Sequence, residues 1–103
     1  MAEDEATAPD PLIVDLRTVR SPEELQEVLQ RQLCFPDFYG KNWNAFWDTI
    51  TGLVELPYDV TFSGWSAFSS ALPDEAQRLR GLLDDYLAEY GQFFTRPRAV
   101  HYR

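Results

Sequence analysis

Short apolar runs alternate with helical segments along this chain, and few folds accommodate that order. Leu12 to Leu16 and Asp59 to Phe62 are rich in β-branched and aromatic residues and are predicted to be strands, the first of them buried on both faces. Because a helix-length segment separates one strand from the next, the strands are expected to run parallel. The pattern predicts an α/β fold with a small three-stranded parallel sheet packed with about four helices.

Helix boundaries are marked by capping residues, prolines and glycines. Ser21, Pro22 and Glu24 mark the start of the first helix. Pro36 marks the end of that helix, and Gly52 marks the end of the second. The predicted helices are Pro22 to Cys34, Trp43 to Thr51, Trp65 to Ala71, and Pro73 up to Gly91. Pro97 divides the remaining residues, and the third strand is assigned to Arg98 to Tyr102 rather than to Phe93 to Arg96.

The length of 103 residues suits one domain, which we assign to residues 12–103. Residues 1–11 hold four acids among small residues and prolines and are predicted to form a disordered acidic tail. This segment lacks the basic start and apolar middle of a signal peptide, and no apolar run reaches the roughly 20 residues that cross a bilayer. The sequence therefore predicts a soluble, cytoplasmic protein without a membrane partner.

Acidic residues outnumber basic ones by 17 to 9, which gives a formal net charge of -8. That sign opposes binding to a phosphate backbone, so nucleic acid is not an expected partner and a basic protein is favoured. Cys34 is the single cysteine and His101 the single histidine, which leaves neither a disulfide nor a zinc ligand set of the Cys/His kind. We expect no metal and no cofactor.

The chain also lacks a set of residues suited to catalysis. His101 is the one side chain with a neutral-pH base, and it lies near the chain end close to arginines. Cys34 follows an amphipathic helix as a small hydrophobe, and the adjacent Asp84 and Asp85 point apart on a helix. The sequence predicts that the protein is not an enzyme.

The segment from Trp43 to Thr51 carries more aromatic surface than a helix needs for docking. At about 100° per residue, Phe46, Ile50 and Leu53 share the core side, while Asn44, Asp48 and Thr51 share the opposite side. Trp43 and Trp47 lie between the two sides. From spacing alone, the tryptophans fit either a core role or a binding patch of rings around a carboxylate.

The order of residues from Phe35 to Gly52, FPDFYGKNWNAFWDTITG, resembles the signature of the barstar family, intracellular inhibitors of small secreted bacterial ribonucleases. It has the form Pro-acidic-aromatic-Tyr-Gly-x-Asn-x-x-Ala-x-Trp-Asp-x-x-Thr-Gly. The order of predicted elements also fits, so the resemblance covers about Leu12 to Gly91.

The resemblance implies inhibition by occupancy, in which the second helix and its preceding loop plug the active site of a basic, guanine-preferring microbial ribonuclease in a 1:1 complex. Asp48 would then take the place of the substrate phosphate, because a carboxylate accepts the same charge-assisted hydrogen bonds. The implied contact surface is Phe38, Tyr39, Gly40, Asn42, Trp43, Asn44, Trp47, Asp48, Thr51, Gly52 and Glu55.

Two positions depart from the family pattern. Asn44 stands where an aspartate is common, and Phe38 stands where a tyrosine is common. Both changes bear on which partner fits. The register leaves open whether Asp85 or Glu89 supplies an acid from the last helix, and the alternative function is a binding module of the same fold for another basic protein or toxin.

Overall fold

Three parallel strands form a single sheet in the computed structural model, which describes residues 8–103. The strands are β1 (Leu12–Asp15), β2 (Asp59–Ser63) and β3 (Ala99–Tyr102), in the spatial order β1-β2-β3. The four helices are α1 (Pro22–Gln32), α2 (Trp43–Gly52), α3 (Trp65–Ala71) and α4 (Pro73–Tyr90), and a 3-10 turn follows at Gly91–Phe93. The predicted fold class is confirmed.

The sheet buries one face. Leu12 and Val14 of β1 and Val60 and Phe62 of β2 are buried, and they belong to the same core as buried residues from all four helices. Ile13, on the other face, is 66% exposed, so the expectation that strand one is buried on both faces is wrong. Right-handed crossovers that proceed in one direction across the sheet place their helices on the same side, which leaves the second face uncovered.

Local interactions end α1 two residues before the predicted position. Leu33 is the C-cap residue of α1, and Cys34 after it has a left-handed φ of 59°. The Phe35 N–H donates to the Gln30 carbonyl at 2.9 Å. This is a Schellman ending with a cysteine in the place that glycine usually occupies. At the other end, the Ser21 hydroxyl accepts from the Glu24 N–H as predicted.

Part of the predicted acidic tail lies outside the described residues, which begin at Ala8. The Asp10 carboxylate accepts hydrogen bonds from the Tyr58 N–H at 2.8 Å and the Asp59 N–H at 3.2 Å. Asp10 is therefore attached to the start of β2. Among residues 8–103, no helix is long and apolar enough to cross a bilayer.

Candidate functional site

The loop before α2 turns tightly into the helix. The Asn42 carboxamide oxygen accepts from the Ala45 N–H at 2.7 Å, so Asn42 is the N-cap of α2. Gly40 lies so close to the helix that an added Cβ would be 3.2 Å from the Ala45 Cβ. This close approach sets the direction in which the chain enters the helix. In the same loop, Phe38 is 77% exposed to solvent.

Tyr39 supports this loop from inside the fold. Its ring is 6% exposed and packs 4.9 Å from the ring of Phe35, and its hydroxyl donates to the buried Gln26 side chain of α1. Burial raises the pKa of the Tyr39 hydroxyl well above its usual value. The ring of Tyr39 is therefore part of the core, whereas the implied contact surface included it.

The two tryptophans of α2 are half-buried and are fixed by α4. The Trp43 indole N–H donates to the Glu75 carboxylate at 3.1 Å, and the Trp43 ring meets the Phe46 ring edge-on at 5.4 Å. Trp47 lies 6.2 Å from the ring of Tyr90. Both tryptophans thus pack against the core and still border solvent, so the core role is present and the binding patch stays a prediction.

A groove of about 540 Å³ runs between α2 and α4. Its walls are Trp43, Asn44, Trp47 and Asp48 from α2, and Arg78, Leu82, Asp85 and Glu89 from α4. Three carboxylates and one guanidinium line it, so the groove is acidic. Within residues 8–103, Asp48 is exposed and forms no salt bridge with a cation of its own chain.

A second groove, of about 390 Å³, lies beyond the C-terminal end of α2. Thr51, Gly52 and Glu55 line it, together with aromatic residues of α4 and of the segment that follows α4. The Thr51 hydroxyl donates to the Trp47 carbonyl at 2.7 Å, which orients it along the helix. Leu53, expected on the core side, is 59% exposed because the helix ends at Gly52 and the helical phase is lost there.

The eleven predicted site residues therefore lie on α2, on the loop before it and just beyond its C-terminal end. Trp43, Asn44, Trp47 and Asp48 line the groove between α2 and α4, hereafter the α4 groove. Phe38, Gly40 and Asn42 belong to the loop before α2. The supporting residues Gln26 and Glu75 were missed in the sequence. Gln26 lies one position away from the apolar stripe of α1, and Glu75 is an acidic residue of the kind common in a first helical turn. Neither residue therefore indicates in the sequence that it contacts Tyr39 or Trp43.

Asp85 and Glu89 both lie on the groove that contains Asp48, so the structure brings the two open candidates on α4 to the predicted site. In the part of the chain that the structure describes, no cluster of three or more His, Cys, Asp or Glu side chains could hold a metal ion. The site offers exposed carboxylates beside packed aromatic rings, an arrangement suited to binding a cationic surface.

The fold and the site define a small α/β domain that exposes one side of a helix and the loop before it. The family model described as "Barstar (barnase inhibitor)" matches residues 10–101, and the chain belongs to this family. It is also 46% identical over 54 residues to the protein named "Putative ribonuclease inhibitor YrdF" of Bacillus subtilis (strain 168).

The match to that relative covers 52% of this chain and 59% of the relative, so the chain spans somewhat over half of its length. Neither printed name denotes an enzyme, in agreement with the prediction that this protein is not one. The family resemblance seen in the residues from Phe35 to Gly52 is confirmed.

Proposed function

We propose that this protein inhibits a small secreted bacterial ribonuclease by inserting the α2 surface into its active site. The observation that carries the proposal is the exposed Asp48 carboxylate, which forms no salt bridge within the described residues and lines an acidic groove together with two anchored indoles. A ribonuclease must stabilise a phosphate with cationic donors. An exposed carboxylate on a helix that is packed against the core fits that requirement.

Asp48 would act as a mimic of the scissile phosphate. Charge-assisted hydrogen bonds from arginine, lysine or histidine of the enzyme would end on its two oxygens, and the rings of Trp43 and Trp47 would exclude water around them. Asp85 and Glu89 line the same groove and would add acids opposite further cations. Inhibition would follow from occupancy alone, with one inhibitor per enzyme.

The full contact surface we propose is the one that the family resemblance implies, with Tyr39 supporting it from beneath. Phe38 would supply apolar area at the loop, and Glu55 would lie near the edge. We propose a guanine-preferring enzyme of the barnase kind as the target and the cytoplasm as the place of action, where an inhibitor would protect the RNA of the producing cell.

The test is an inhibition assay against a panel of small guanine-preferring bacterial ribonucleases, with RNA cleavage as the readout at low ionic strength. We expect stoichiometric inhibition of at least one enzyme at nanomolar concentrations or below. Because the net charge of -8 would attract a basic enzyme over a distance, association should slow as salt is added. Silence against every enzyme would contradict the proposal and favour a different basic protein as partner.

A further inference from the structure

Lys41 is the one lysine among the 103 residues, and it stands in the loop that leads into α2. Its side chain is exposed, and within residues 8–103 it forms no salt bridge. An ammonium group therefore occurs on a surface whose neighbouring groove is acidic. No ion pair within the described part of the chain accounts for this charge.

The backbone at Lys41 has a φ of 57°, in the left-handed region. Among residues other than glycine, Asn and Asp adopt this conformation most readily, whereas a lysine does so rarely. The position thus holds a residue that its own backbone does not favour. A role of the side chain in binding another molecule would explain why a lysine occupies this position.

The charges around α2 are arranged in a definite order. Lys41 precedes the N-terminal end of the helix, where the macrodipole is positive, and Asn44 in the first turn is neutral. Asp48 lies in the second turn of the helix, five residues after its first residue, Trp43. The loop therefore presents one cation, Lys41, and one exposed carboxylate, Asp37, whereas the groove between α2 and α4 carries three carboxylates and one guanidinium.

We propose that Lys41 is a specificity-determining residue that meets a carboxylate on the partner ribonuclease. The inference rests on the function proposed above, since it concerns the same surface. A site that accepts Asp48 carries cations, and a lysine placed against further cations would oppose binding. The fitting partner is a ribonuclease with an acidic side chain on the rim of its cleft, apart from the cations that bind phosphate.

Zero-length crosslinking tests this contact directly. A carbodiimide joins an amine to a carboxylate as an amide only where the two groups touch, and Lys41 carries the sole side-chain amine of this chain. Using the intact complex with the most tightly inhibited ribonuclease of the panel, we expect mass spectrometry to find Lys41 joined to one carboxylate of the enzyme. Lys41→Arg keeps the charge and should bind normally without that crosslink.

The pair Lys41→Asn and Lys41→Asp separates charge from backbone conformation, because both residues suit a left-handed φ. We expect Lys41→Asn to weaken binding about fivefold and Lys41→Asp to weaken it about fivefold more. A tight wild-type complex without a Lys41 crosslink, or tighter binding by Lys41→Asp, would overturn the inference and leave the proposed function standing. Failure of the wild-type chain to inhibit any enzyme of the panel would overturn both.

Discussion

Individual polar side chains differ in whether the chain itself supplies their partners. The Tyr39 hydroxyl donates to Gln26 inside the fold, whereas the Asp48 carboxylate faces solvent. Helical spacing placed Asp48 on the polar side, because a side chain's direction on a helix follows from its number. The burial of Tyr39 depends on how its loop packs against α1, which no local pattern encodes.

Tyr102 provides a test at this scale, since its buried hydroxyl has no hydrogen-bond partner among the described residues. Its ring packs 4.7 Å from the Trp65 ring. An unpaired buried hydroxyl is destabilising, so Tyr102→Phe should raise the free energy of unfolding at neutral pH by about 1 kcal/mol in denaturant titrations. Tyr58→Phe, which alters an exposed hydroxyl, is the control and should change little.

The same residue predicts a pH dependence. Burial raises the pKa of Tyr102 from 10.0 to about 12, so above pH 10.0 the unfolded chain loses this proton more readily than the folded chain, and the free energy of unfolding falls as the pH rises towards 12. The phenylalanine variant should lose less stability across that interval. A variant that is less stable than wild type at neutral pH would contradict the account of the hydroxyl.

The bounds of a helix or strand can be predicted from the sequence where a local interaction sets them. Trp65–Ala71 was predicted with the observed bounds, and Pro73 begins α4 as expected. The end of α1 was misplaced because Cys34 adopts a conformation normally signalled by glycine. The exposed face of β1 was missed because it depends on where the crossovers place the helices, which is a property of the whole chain.

Two glycines should respond in opposite ways to alanine. Gly64 joins β2 to α3 with a φ of 70°, and an added Cβ would lie 2.9 Å from backbone atoms of Arg17. Gly64→Ala should therefore lower the free energy of unfolding by about 2 to 4 kcal/mol. Gly81 lies inside α4 with open space around it, and Gly81→Ala should raise stability by about 1 kcal/mol. Equal shifts in thermal denaturation midpoints would contradict this distinction.

At the scale of the whole molecule, the fold serves to hold α2 between a core and an open groove. Phe46 and Ile50 fix one side of the helix in the core, and α4 fixes the tryptophans on its flank. The helix backbone that carries Asn44 and Asp48 is therefore held in place in the free protein. Such preorganisation reduces the entropy lost on binding.

The dissociation constant of the Asp48→Ala variant with the inhibited ribonuclease tests the central claim most directly. We expect a loss of about 2 to 5 kcal/mol in binding free energy with unchanged thermal stability, because cations of the enzyme would be left buried and unpaired. Asp84→Ala removes the same charge from an exposed position on α4 that does not line the groove, and it should bind within about 0.5 kcal/mol of wild type. Equal affinity of both variants and the wild-type chain would contradict the phosphate mimicry assigned to Asp48.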